Sequence, residues 1–181
     1  LVALNVVGVR EAAGLNIFLA VIDFATQLLL VVLGFVLIFS PTVLADNIHW
    51  GVAPTWSAFL LAIPVGMIAY TGIETISNLA EETRDPPRDV PNSIRLVAVA
   101  VFAIYFTLPL IALSALPVTL VDGEYETKLG LPPEEGGFAN DPVLGLIQNL
   151  GLHGILLDSL EIYVGLLAAT ILFVATNAGV I

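Results

Sequence analysis

The sequence predicts an all-α membrane protein, and three observations carry that prediction. Apolar residues make up 58% of the chain and charged residues only 12%, where a soluble domain holds about 25% charged residues. The apolar residues are bunched into long runs, several of which reach the roughly 20 residues a helix needs to cross the hydrocarbon core. The basic residues fall on turns between those runs with the one-sided bias of a multi-spanning chain.

Taken in order, residues 1–9 read as the tail of a helix that ends at Gly8-Val9-Arg10. Residues 15–39 form the first complete span, with Asp23, Thr26 and Gln27 as its polar content, and Ser40-Pro41 ends it. Residues 41–54 read as a short loop without Lys or Arg. The second span covers 56–80, with Trp50 and Trp56 at its outer edge, where amphipathic rings favour the interface. It contains Pro64, Gly66, Gly72 and Glu74. A charged turn at 81–91 leads to the third span, 94–118, which Pro109 is expected to kink. An acidic outer loop, 119–153, precedes the fourth span, 155–181. Within that loop, 121–137 is acidic and rich in Gly and Pro, and reads as irregular and solvated. Asp141-Pro142 resembles an N-cap followed by a first-turn proline. Val143, Leu146, Ile147 and Leu150 then recur at helical spacing, so 142–151 is expected to be a short amphipathic helix on the outer face of the bundle.

The charge pattern sets an expected topology. The basic residues are Arg10, Arg84, Arg88, Arg95 and Lys128. With alternating spans, Arg10 and the 81–95 loop share one side, which the positive-inside rule makes cytoplasmic. The 41–54 and 119–153 loops are then extracellular, with Lys128 as their one basic residue. The net charge of −11 reflects the acidic loop. No basic patch favours nucleic acid. There is no cysteine, hence no disulfide or thiolate metal site, and His49 and His153 stand apart from other ligand types. No cofactor is expected. No nucleophile–base pair or phosphate-binding glycine loop supports an enzyme. The chain opens on apolar Leu1 and closes on Ile181 within an apolar run, so both ends are expected to be cuts near membrane segments of a longer protein.

Two places within the spans could carry chemistry. The first is Ile68-Ala69-Tyr70-Thr71-Gly72-Ile73-Glu74. A carboxylate at the bilayer centre costs on the order of 2.5–3.5 kcal/mol on insertion scales, and an interior helical glycine about 1 kcal/mol. A broken helix is accepted in a membrane only where its freed backbone is buried in protein or lines a cavity. Such a break offers N–H and C=O groups to a small polar ligand, and its helix N-terminus favours a carboxylate. The same residues also fit a close-packing glycine and a Glu74 solvated at the cytoplasmic interface. The second place is Asp23, a lone acid among apolar neighbours, which should face the bundle interior or a water cavity. It fits a proton carrier, a counter-ion for a cation, or a structural hydrogen bond to a neighbouring helix. Thr170, Thr176 and Asn177 read as packing groups between helices.

The run from Ala69 to Pro91 resembles the amino acid–polyamine–organocation permeases. Their sixth helix carries an aromatic–x–Gly–x–acid pattern, matched by Tyr70, Gly72 and Glu74. Two acids, a basic residue, proline, another basic residue and a final proline then lead into helix seven. Glu81, Glu82, Arg84, Pro86, Arg88 and Pro91 stand at those places. The resemblance extends from the end of helix four, near Asn5, into helix eight, at 171–181. The acidic stretch 121–137 has no counterpart in it.

The resemblance implies a fragment of an inverted-repeat fold of five plus five helices, with helices one and six broken around the substrate. Span two would be the broken sixth helix. Tyr70, Thr71, Gly72, Ile73 and Glu74 would line the substrate site, with Tyr70 as the closing aromatic. Some proton-coupled members carry a lysine where this chain has Asp23, so the charge is inverted and a lysine-type coupling mechanism does not transfer. The implied function is secondary active transport of amino acids or related amines across the plasma membrane by alternating access. Proton-coupled symport or exchange is the expected mode. The alternatives are a transport-inactive sensor or structural subunit of the same fold and, less favoured, a channel.

Overall fold

The computed structural model describes residues 9–67, 83 and 85–178. Helix α1, Val9–Leu37, starts before the expected residue 15, is mostly apolar and has no internal proline. Its end is closed by the Ile38 and Phe39 amides, which both donate to the Gly34 carbonyl, at 3.0 and 2.9 Å. The next turn corrects an expectation. Residues 41–54 were expected to form a plain loop, yet Pro41–Asn47 is a helix, α2. Ser40 caps it, its Oγ accepting from the Val43 amide at 3.4 Å, and Pro41 occupies the first turn. The Ser-Pro pair that stops one helix also starts another, because proline at a helix start gives up an N–H that has no intrahelical partner.

Helix α3, Trp56–Met67, follows a tight turn in which the Trp50 and Trp56 rings stack. Its 12 residues reach about 18 Å. The remainder of the expected span, through residue 80, lies outside the described residues. Helix α4, Pro86–Ala115, starts well before the expected residue 94 and ends before 118. Pro86 and Pro87 sit in its first turn, where proline is tolerated, and Asp89 there suits the positive helix end. The helix continues through Pro91 and Pro109 without interruption.

The stretch 121–137 was expected to be irregular, and its first part is not. Thr119–Val121 (β1) and Glu124–Glu126 (β2) pair as an antiparallel hairpin. The turn is Asp122-Gly123, with φ of 50° and 90°. Positive φ at both central residues is what a two-residue hairpin turn requires, and Asp-Gly meets it at low cost. A short 3₁₀ turn, Pro133–Glu135, follows. Helix α5, Pro142–Gln148, is capped by Asp141, whose Oδ1 accepts from the Leu144 amide at 3.0 Å. Helix α6 is Ile155–Ala178.

Helix α1 packs against α4 and α6, and α5 packs against both of these. The most enclosed cluster is Leu30 of α1 with Ile147 and Leu150, ringed by Leu33, Leu108, Leu157, Leu160 and Val164. The short helix thus turns its apolar face, with Gly145, Leu146 and Ile147, inward. Gly34 makes the α1–α4 crossing close: a Cβ there would overlap the Ile111 side chain, which is fully buried.

Among the described residues three segments are long and apolar enough to cross a membrane, Ile17–Leu37, Pro86–Ala115 and Ile155–Leu172. Their outer faces carry large exposed apolar side chains such as Val36, Leu96 and Leu172. A water-soluble surface does not present apolar faces of that extent. The protein is an all-α membrane protein, and among the described residues its 119–153 loop contains a small hairpin.

Candidate functional site

Tyr70, Thr71, Gly72, Ile73 and Glu74 lie outside the described residues. The described part of helix α3 ends at Met67, just before them in sequence. There, Ile63, Gly66 and Met67 face Phe102, Tyr105, Phe106 and Pro109 of α4 across an apolar cavity of about 520 Å³. A Cβ on Gly66 would meet no neighbour within 4 Å, so that glycine leaves space rather than making a tight contact.

Asp23 is placed. It sits half-buried on α1 and lines a second cavity, of about 330 Å³, between α1, α5 and α6. Residues 23, 26, 27 and 30 recur at helical spacing, so α1 turns Asp23, Thr26, Gln27 and Leu30 to the same cavity. Gln27 donates from Nε2 to Asp23 Oδ2 at 2.7 Å.

Thr26 is buried and makes two hydrogen bonds. Its Oγ1 lies 2.8 Å from the Ile22 carbonyl oxygen and 2.8 Å from the Tyr163 hydroxyl of α6. A carbonyl can only accept, so the single Thr26 proton goes to Ile22. The Tyr163 hydroxyl must then donate to Thr26. This fixes the direction of a bond that ties α1 to α6 one helical turn from Asp23.

The opposite wall brings residues that the sequence reading did not single out. Glu161 on α6 and Asp141 at the start of α5 line the same cavity as Asp23. Gly165 and Ala168 of α6 keep it open, and a Cβ on Gly165 would meet no neighbour within 4 Å. A signal for Glu161 was available: it is an acid inside an apolar span, as Asp23 is. Asp141 was legible only as a helix cap. Among the described residues the cavity lining contains three acids and no Lys, Arg or His, so it favours a proton or a cation over an anion. The three acids do not form a metal centre: no group of His, Cys, Asp or Glu among the described residues is placed to hold a metal ion. Thr170 of α6 donates to the Leu167 carbonyl of its own helix at 2.7 Å rather than to a neighbouring helix.

Comparison with known proteins gives this arrangement a family. The amino acid permease pattern matches residues 1–157. The chain is 26% identical over 131 residues to the uncharacterized transporter YdgF of Bacillus subtilis, covering 67% of this chain and 29% of that protein. It is 26% identical over 127 residues to a D-serine/D-alanine/glycine transporter of Escherichia coli, covering 65% of this chain and 27% of that protein. Over a shorter stretch of 51 residues it is 43% identical to the uncharacterized transporter Rv1979c of Mycobacterium tuberculosis, covering 28% of this chain and 11% of that protein. The chain spans less than a third of the length of these relatives. No solved structure matches it. The family pattern runs through α1, α4 and α5 to the start of α6, and with three membrane-length helices among the described residues it settles the class: this chain belongs to the amino acid permease family, a family of transporters and not of enzymes.

Proposed function

We propose that this chain is part of a secondary active transporter that moves amino acids or related amines across the plasma membrane by alternating access. The reading is carried by the permease pattern across residues 1–157. The half-buried Asp23, on a cavity between two membrane-length helices, supports it. The substrate contacts are assigned to Tyr70, Thr71, Gly72, Ile73 and Glu74 on the resemblance to the family's broken sixth helix. Asp23 is assigned as the coupling or cation-binding carboxylate, in proton-coupled symport or exchange. An acid in a membrane span is unfavourable unless it faces such a cavity, and here it does. The 81–95 loop is assigned to the cytoplasm and the 41–54 and 119–153 loops to the outside, on the distribution of Arg and Lys.

The test is uptake and counterflow by the intact protein in proteoliposomes. The panel begins with glycine, D-serine and D-alanine, because one relative bears those names, and continues to larger amino acids and diamines. Saturable, exchangeable uptake of one class is the expected result. Binding without counterflow would instead favour a transport-inactive sensor, and uptake that never saturates would favour a channel. Asp23→Asn is expected to cut uptake about tenfold or more, the scale on which a single buried charge acts, and to flatten its pH dependence. Unchanged uptake with an unchanged pH profile would remove Asp23 from the mechanism.

A further inference from the structure

We infer that Gln27 is the positioning residue for Asp23. The inference rests on the reading of Asp23 as the coupling or cation-binding carboxylate. Asp23 and Gln27 lie four residues apart on α1, where side chains one turn apart meet. The Gln27 amide donates to Asp23 Oδ2 at 2.7 Å. An amide N–H can hold a carboxylate oxygen without neutralising it, which a Lys or Arg in the same place could not. Among the described residues no donor is bonded to the other oxygen, Oδ1. Asp23 and Gln27 both line the cavity between α1, α5 and α6.

The other groups facing this carboxylate cannot substitute for Gln27. Glu161 of α6 and Asp141 at the start of α5 are acids and raise the negative potential of the cavity. Tyr163 of α6 spends its proton on Thr26. No basic residue lines the cavity among the described residues. Gln27 thus fixes one oxygen of Asp23 on the wall of the cavity that an ion or amine would enter. The hydrogen bond restrains the rotation of the Asp23 carboxyl group.

The experiment uses the intact protein in proteoliposomes, with uptake measured in acidic and in alkaline buffer. Gln27→Leu is expected to lower uptake about tenfold, as loss of a hydrogen bond to a charged group does. Asp23→Asn combined with Gln27→Leu should be no worse than Asp23→Asn alone. Gln27→Glu places a second carboxyl against the same oxygen. Two such groups hold together while they share a proton and repel once both are ionised. That variant should transport in acidic buffer and lose activity in alkaline buffer, where the native protein retains it. A side chain at position 27 that did not meet Asp23 would not produce that pH response. If Asp23→Asn is impaired while Gln27→Leu matches the native protein, the positioning role is wrong. If Asp23→Asn itself matches the native protein, the underlying reading of Asp23 fails instead. Should Gln27→Leu fail to reach the membrane, the pH response of Gln27→Glu decides, and a profile like the native one overturns the inference.

Discussion

Gly34 shows how much a single residue can decide in a membrane-embedded bundle. Between lipid-bathed helices, association depends on close van der Waals fit more than on the expulsion of water. Gly34 and the fully buried Ile111 make that fit at the α1–α4 crossing. Adding one methyl group at Gly34 should therefore overpack the crossing and destabilise the protein by about 1–3 kcal/mol. Thermal unfolding of Gly34→Ala in detergent would measure this, and Ile111→Val in the same chain should restore part of the loss. A native melting temperature for Gly34→Ala would show that the helices have room to part. Thr26 works in the opposite way. It buries a hydroxyl but gives it two partners, one on its own helix and one on α6, so the polar group adds a tie between helices instead of a desolvation cost.

At the scale of elements, α5 is the piece whose role changed most. As a sequence it is a capped amphipathic stretch. In the fold it carries Ile147 and helps to bring Leu150 into the cluster with Leu30. Its end also supplies Asp141 to the cavity. Seven residues make a helix too short to persist alone, since isolated helices below about 12–15 residues are marginal. The cap and the inserted apolar face must hold it. Asp141→Ala removes the acceptor for the Leu144 amide and should destabilise this helix by about 0.5–2 kcal/mol. Hydrogen exchange resolved at residues 142–150 should quicken accordingly, while exchange in α1 stays slow. Equal protection in both proteins would mean that packing alone sets the helix. Gly145 adds a second constraint from the loop side, because a Cβ there would press on the half-buried Phe138 ring.

At the scale of the whole molecule, the orientation of the spans is the open assignment, and the chain suits a direct test because it contains no cysteine. Single cysteines introduced at Asp46, Lys128 and Arg88 of an otherwise cysteine-free intact protein would each report one loop. A membrane-impermeant thiol reagent applied to whole cells should label positions 46 and 128, and position 88 only after the cells are opened. Labelling of position 88 from outside would invert the assignment. The basic residues decide this because translocating Arg and Lys across the membrane is disfavoured, so Arg84, Arg88 and Arg95 weigh together against Lys128.

Much of this protein follows from composition and local pattern alone. An apolar run of membrane length can satisfy its backbone only as a helix, so α1, α4 and α6 were readable one at a time. So was the cap at Asp141, because an Asp-Pro pair leaves few other local solutions. The permease signature at 69–91 is equally a property of the chain itself. Short polar stretches were less legible. The Asp122-Gly123 turn and the Ser40-Pro41 helix start both carried recognisable residues. Their acidic, proline-containing surroundings outweighed those residues until neighbouring segments gave them something to pack on. The cavity belongs to the tertiary structure entirely. Asp23, Asp141 and Glu161 are far apart in sequence, and only the packing of α1 and α5 against α6 sets them around one space. Sequence could mark Asp23 as an acid needing an explanation, because a charge in hydrocarbon has a cost wherever it lies. The i, i+4 spacing already set Gln27 beside Asp23, but sequence could not supply Glu161 as its neighbour, because helix spacing offers several faces and the fold chooses the one turned inward.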